Sequence, residues 1–275
     1  MKSADMALSW EEAVQWLRSQ PDQAELVTAC FFDDPLIAAA ERYYSSTEWQ
    51  AVRELIGPAR GKALDLGAGR GISSFALAKD GWAVTALEPD PSQLVGAGAI
   101  RTLAAEGNVA VEVVEKWGEE LPFEDSTFDL VHVRQALHHA RDLRQLCHGI
   151  GRVLKPGGTM IATREPVLSH QRDLDMFLKM HPLHHLYGGE NAFVLKEYVS
   201  AIEAAGIRLA KVLNPYESNI NLFPDTRNSL RVRAARKLRL PSPALLPDAL
   251  LSWVGKASNA PGRLYTFLGY KVKNA

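Results

Sequence analysis

The chain has 275 residues and a mass of 30.3 kDa, with 47% apolar residues, 23% charged residues and a formal net charge of -1. That length accommodates one α/β domain with substantial additions, and the composition is that of an ordinary soluble globular protein. It gives no global field for a nucleic-acid partner, no disulfide framework from its two cysteines, Cys30 and Cys147, which fit a reducing cytoplasm, and no apolar run near the roughly 20 residues of a membrane span.

In chain order, residues 1–45 are expected to form a helical cap ahead of the main fold. Acids and tryptophans stand there in place of a signal peptide's apolar core. Ser9 and Glu12 are spaced as a capping box, and Trp10, Val14 and Leu17 recur on one helical face. A second helix, broken at Pro35, is expected from about Asp22 to Tyr44. The segment reads either as a packing helix pair or as a lid over a ligand site, with Tyr43 and Tyr44 as the lid's contacts. Thr47 to Ile56 reads as a further helix.

Lys62 to Leu66 is an apolar strand that feeds a turn with glycines at Gly67, Gly69 and Gly71. A helix follows from about Ile72 to Lys79, then a second strand, Trp82 to Leu87, which ends on Glu88. A strand, tight turn, helix and strand that deliver a carboxylate roughly 20 residues on form half of a doubly wound nucleotide-binding unit. The spacing discriminates among nucleotides. Ile72 occupies the place of a dinucleotide fold's last glycine, and Asp65 stands where a carboxylate repels pyrophosphate and suits a cationic ligand. A nicotinamide oxidoreductase is thereby disfavoured. The stretch resembles motif I of the class I S-adenosylmethionine-dependent methyltransferases, D-x-G-x-G-x-G with an acid closing the second strand.

That resemblance implies a Rossmann-like α/β fold with a doubly wound, mostly parallel seven-stranded sheet, and S-adenosylmethionine as cofactor with S-adenosylhomocysteine as product. It also implies roles at the turn. Gly67, Ala68, Gly69 and Gly71 let the backbone approach the cofactor, Asp65 orients the turn or holds the amino group through water, and Glu88, with Pro89 after it, binds the ribose hydroxyls.

Beyond Pro89, Ser92 is expected to cap a helix to about Glu106, and Val109 to Val114 alternates as a third strand. Leu121-Pro122-Phe123 and Phe128-Asp129-Leu130-Val131 match the family's turn into its fourth strand. The acid that the family places at the adenine edge is replaced by Trp117, which can cover the adenine face but cannot accept from its amine. Backbone around Trp117-Gly118-Glu119 is then left to read that edge, with Glu119 either substituting or lying on the surface. The fourth strand ends at Val133, and Arg134 through His139 follow at the cofactor side. The run through Arg152-Val153-Leu154-Lys155-Pro156-Gly157-Gly158 resembles the small-molecule methyltransferases of the ubiquinone and menaquinone biosynthesis kind. A fifth strand is expected at Thr159 to Arg164, a helix at Leu195 to Ala205, a sixth strand at Arg208 to Leu213 and a seventh, antiparallel, at Leu264 to Val272.

The expected organisation is therefore a cap over 1–45, a core over 46–214 plus 264–275, and an added segment over 215–263. Two stretches, 165–193 and 214–263, lie outside the family core, and insertions on the carboxyl-end face of such sheets build acceptor pockets. His138 and His139 are the candidate bases, since methyl transfer to a hydroxyl requires alignment and removal of a proton. The structural alternative is that one caps the next helix and the other packs beneath it. His181, His184 and His185 invite a metal reading, but zinc would need further ligands, so no metal is expected. Asn214-Pro215-Tyr216 resembles an amino-methyltransferase signature but stands after the wrong strand. The segment from Arg227 to Leu246 is basic with an apolar side, and it reads as a solvated face, a membrane-surface or lipid-linked acceptor site, or a partner for an anionic sugar.

The sequence thus points to methyl transfer onto a small-molecule or sugar acceptor at oxygen. The alternative is a non-catalytic module that binds S-adenosylmethionine or S-adenosylhomocysteine. An acceptor-sized pocket beside the cofactor site separates the two.

Overall fold

The computed structural model describes residues 7–59 and 61–273, so residues 1–6 of the expected cap and residues 60 and 274–275 of the expected core lie outside the described residues. The N-terminal segment carries helices α1 (Trp10–Arg18), α2 (Ala24–Ala29), α3 (Leu36–Tyr44) and α4 (Thr47–Ile56). The Ser9–Glu12 capping box is formed, with the Glu12 amide donating to Ser9 Oγ at 3.2 Å and the Ser9 amide to Glu12 Oε2 at 2.8 Å.

Strand β1 (Lys62–Leu66), helix α5 (Ile72–Lys79) and strand β2 (Ala83–Leu87) follow, then helix α6 (Ala97–Glu106), strand β3 (Val111–Val114) and strand β4 (Phe128–Arg134). Ser92 does not cap α6. Its hydroxyl accepts from the amides of Leu94 and Val95, closing a local turn that delays the helix to Ala97. Helix α7 (Leu143–Val153), capped by Asp142, leads into strand β5 (Leu154–Leu168). This strand is far longer than the expected Thr159 to Arg164, because it continues past a bulge between Ala162 and Glu165.

The remainder comprises α8 (Leu174–Met180), α9 (His184–Tyr187), β6 (Phe193–Val194), α10 (Leu195–Ala204), β7 (Ile207–Leu213), α11 (Asn219–Leu222), α12 (Arg227–Lys237), α13 (Asp248–Ala257) and β8 (Arg263–Lys271). The main sheet runs β3-β2-β1-β4-β5-β8-β7, with short β6 paired to the far end of β5 as an eighth strand. All pairings are parallel except those of β8, which lies antiparallel to both neighbours. The expected α/β fold is present.

Both faces of the sheet are buried, as parallel strands require. On one face Leu64, Leu66, Val131 and Val133 pack with α7 and with Tyr198, Ala201 and Ile202 of α10. On the other, Ala63, Leu130, Ile161 and Leu268 pack with α5 and with Ala40, Tyr43, Trp49 and Val52 of the N-terminal helices. Tyr43 is fully buried in this layer, and Tyr44 donates to Asp80. Neither reaches the cavity described below, so the expected lid contacts are instead core and anchor residues.

Charged groups lie inside that layer. Glu48 on α4 is fully buried and accepts from Arg134 Nε at 2.7 Å and Nη2 at 3.1 Å, with Arg164 3.8 Å away. Two buried guanidiniums without this carboxylate would be uncompensated charges. Glu48→Ala is expected to destabilise the fold by ~3–5 kcal/mol, read as a lower urea midpoint. An unchanged midpoint would show that the arginines do not need it.

Candidate active site

The strand order reverses between β1 and β4, which opens a crevice at the carboxyl ends of the strands. The turns after these two strands meet there. A Cβ on Gly67, whose φ is +69°, would stand 2.5 Å from the Ala136 Cβ, so glycine is what allows the two turns to share the space. A Cβ on Gly69 would meet no atom within 4 Å. The backbone there looks onto open space, a cradle for a ligand.

Glu88 closes that cradle. Its Oε2 accepts from the Gly69 amide at 2.7 Å and its Oε1 from the Asp90 amide at 3.0 Å. Burial of the carboxyl raises its pKa against those two hydrogen bonds, to about 7. Asp65 is buried more completely, and both its oxygens are used within the protein. One accepts from Ser74 Oγ at 2.6 Å, and the other faces His132 Nδ1 at 2.8 Å. These contacts tie the end of β1 to α5 and β4. Gly71 does not face the cradle. It caps α5 with φ +83°, and a Cβ there would press on Ile100 of α6 at 3.1–3.2 Å. Its expected place at the cofactor is corrected to helix packing.

A cavity of about 720 Å³ extends from this cradle, within the size range of small-molecule sites. Asp65, Gly67, Ala68, Gly69, Glu88, Pro89, Trp117, Gly118, Arg134, His138 and His139 all border it, so the structure brings together every expected site residue except Gly71. Trp117, 56% exposed, forms a flat wall backed by the Arg141 guanidinium 5.2 Å from its ring centroid. Glu119 accepts from the Arg141 amide and so holds this corner together. Arg134 borders the cavity, but its guanidinium is bound to Glu48.

The two added segments behave differently. No residue of 215–263 lines the cavity. Ile220 packs in the core, Phe223 stacks on Phe31, and Arg227, Arg231 and Arg233 pair with Asp248 or Asp225. The expected acceptor cover is therefore a buttress one layer back, and it is also less free in charge than its sequence suggested. Asn214 is spent on local contacts with Tyr216 and Ser252. The earlier segment, 165–193, does build the cavity wall through His181, Pro182, Leu183, Tyr187, Gly189 and Glu190. Trp10, Leu17, Leu26, Phe31 and Phe32 of the N-terminal segment line it too, with Trp10 packed on Tyr187 at 4.8 Å between ring centroids.

At this far end the side chains are ionisable. His138 is buried, with Nδ1 2.9 Å from Glu165 Oε2 and Nε2 3.3 Å from Glu190 Oε2. Burial disfavours its charge, but the hydrogen bonds and charges of Glu165 and Glu190 outweigh that and raise its pKa to about 9. Burial also disfavours the Glu190 charge, yet the neighbouring histidines bring its pKa down to about 2. His139 stacks against His138 at 4.1 Å between centroids, and burial together with the His138 charge lowers its pKa. Its Nδ1 lies 3.1 Å from the Gly189 carbonyl. A carbonyl only accepts, so Nδ1 carries the proton and Nε2 is left with a lone pair. The expected run of His181, His184 and His185 does not share one helical face, since His181 ends α8 and α9 begins at His184.

Sequence reasoning missed Glu165, Glu190 and Arg70. Glu165 was assigned to an insertion because the bulge of β5 is not visible in a period-two pattern. Glu190 follows Gly188-Gly189, a turn signal that marks its position but not its direction. Arg70, in the middle of the glycine turn, donates to the carbonyls of Phe31, Asp33 and Leu94 and to Asp34.

Residues 64–162 match the methyltransferase domain family. A demethylmenaquinone methyltransferase from Clavibacter sepedonicus is 36% identical over 134 residues, 47% of this chain and 53% of that protein. A ubiquinone biosynthesis O-methyltransferase from Pseudomonas aeruginosa is 34% identical over 111 residues, 39% and 45% of the two chains. The chain thus spans about half the length of the curated relatives it matches. Among solved structures, a putative sarcosine dimethylglycine methyltransferase from Galdieria sulphuraria superposes with a TM-score of 0.55 at 20% identity, covering 98% of this chain and 93% of that one. That last likeness is one of fold.

Gly71→Ala tests the corrected role. Strain at positive φ and the pressed Ile100 are expected to cost ~1–3 kcal/mol of stability, measured by urea unfolding. A variant as stable as the parent would return Gly71 to the ligand side.

Proposed function

From the match of residues 64–162 to the methyltransferase domain family, we propose that the protein transfers the methyl group of S-adenosylmethionine to a hydroxyl oxygen of a small-molecule or sugar acceptor. The observation that carries this reading is one cavity with two chemically distinct ends, a glycine cradle closed by Glu88 and an imidazole–carboxylate cluster at His138, His139 and Glu190. An acceptor-sized space beside the cradle also favours an enzyme over a module that only binds the cofactor.

The open backbone at Gly69 and the Glu88 carboxylate suit a ribose carrying two hydroxyls, and Trp117 offers a stacking face to adenine. When bound, the sulfonium supplies the activated methyl carbon and leaves as the thioether of S-adenosylhomocysteine. The residues at the other end align the acceptor and take its proton. His138 has both ring nitrogens facing carboxylates, so the available lone pair is His139 Nε2. The hydroxyl proton passes to that nitrogen as the oxygen forms its bond to carbon and the carbon–sulfur bond breaks.

Calorimetric titration with S-adenosylmethionine and a labelled-methyl transfer screen with small hydroxylated acceptors test the reading. Tight NAD binding with no affinity for the sulfonium cofactor would overturn it. Glu88→Ala is expected to weaken cofactor binding by ~1.5–3 kcal/mol. In the parent, affinity should fall as pH drops below about 7, because only the ionised carboxylate accepts from both hydroxyls. Glu88→Gln should bind weakly at every pH, and a parent affinity flat from pH 8 to 5 would remove Glu88 from the ribose. His139→Gln is expected to lower kcat by ~10²–10⁴-fold with cofactor affinity retained, measured at saturating cofactor. Undiminished turnover would exclude His139 from proton removal.

A further inference from the structure

The cluster at the acceptor end has a donor arrangement that proton transfer alone does not need. One ligand atom from each of His138, His139 and Glu190 lies within 4.8 Å of the other two, and all three residues border the cavity. We propose that these three residues hold a divalent transition-metal ion of the zinc and iron group.

Three observations carry this. First, each histidine is oriented through its Nδ1, that of His138 by the Glu165 carboxylate at 2.9 Å and that of His139 by the Gly189 carbonyl at 3.1 Å. Metal-bound histidines are held in this way; the distal nitrogen of His139 carries a lone pair, and at His138 the ion takes the place of the proton between Nε2 and Glu190 Oε2. Second, Glu190 is fixed from behind. Tyr187 donates its hydroxyl to Oε1. His181 Nδ1 lies 3.4 Å from the Leu183 amide, which can only donate, so its proton sits on Nε2, facing Oε1 at 3.4 Å. Oε2 is left facing His138. Third, His138 Nε2 and Glu190 Oε2 stand 3.3 Å apart, longer than the usual charge-assisted hydrogen bond. Two ligands of one tetrahedral ion, each bonded at about 2.0–2.1 Å, stand about 3.3 Å apart.

Two imidazoles and one carboxylate suit zinc or non-haem iron and leave positions open for a further ligand. The three residues border the cavity, where an acceptor hydroxyl would coordinate and lose its proton more readily than in water. With an ion in place His139 is a ligand, and without one it is the free base. The ion's part in methyl transfer rests on the reading above, but its binding does not.

The test uses the full chain, stripped with EDTA, desalted and titrated with Zn²⁺ by calorimetry. One ion per chain is expected, with affinity lowered at least roughly tenfold in His139→Gln and Glu190→Gln and unchanged in His148→Gln, a surface histidine outside the cluster. X-ray absorption of the parent's zinc complex, which needs no variant to fold, should show a nitrogen and oxygen shell with imidazole scattering. Binding that is absent, or equally strong in all three variants, or a shell without imidazole, overturns the proposal. Methyl transfer that survives chelation in a protein that binds no ion refutes the metal and leaves the base. An ion bound as expected, with no affinity for S-adenosylmethionine, refutes the methyltransferase reading and leaves the metal.

Discussion

The arrangement of the site depends on a single buried carboxylate. Glu165 accepts four hydrogen bonds, from the backbone amides of Ala136, Leu137 and His138 and from the His138 ring. Successive amides converging on one acceptor fix the path of the turn after β4, and that turn carries both histidines and presses Ala136 against Gly67. The carboxylate reaches this position through the bulge in β5. Arg164 adopts φ +58°, outside the strand region. The bulge also lets Arg164 donate to the carbonyls of Ile220 and Phe223 beside Glu48. One irregular residue pair thus supplies the anion for the site and a cation for the layer beneath it.

Charge is distributed along the cavity with similar economy. At the cradle, Asp65 and Glu88 are both acidic, but Asp65 spends its oxygens on Ser74 and His132. Glu88 alone remains to meet a ligand, held by two backbone amides. At the other end carboxylates and imidazoles alternate, Glu165, His138, Glu190 and His181, so that each charge has a neighbour of opposite sign. Apolar side chains of the N-terminal segment, Trp10, Leu17, Leu26, Phe31 and Phe32, line the same cavity.

Most of the cradle was legible in the sequence because its physics is local. The spacing of Gly67 and Gly69, the apolar strands around them and the acid at Glu88 are constraints within one strand–turn–helix–strand unit, and the structure places them as expected. Gly71 was assigned to the ligand because the motif treats its glycines alike. Only the three-dimensional contact with Ile100 shows a packing role. The acceptor end was less legible because it is assembled from distant stretches. His138 and His139 were visible as a pair, whereas Glu165 and Glu190 were hidden by a bulge and by a turn whose direction the sequence does not encode. The basic run from Arg227 is partly neutralised in a way the sequence does not show. Asp225 and Asp248 lie at its margins, and folding pairs them with Arg227, Arg231 and Arg233.

Arg70 leaves a consequence for how a ligand gets in. Its guanidinium fastens the stretch from Phe31 to Asp34 directly to the glycine turn, so the roof of the chamber and its floor are clamped at one hinge point. Lifting that side requires breaking the hydrogen bonds of Arg70 to Phe31, Asp33 and Asp34 together. Trp117, which also lines the cavity, has no such clamp, and more than half of its surface faces water.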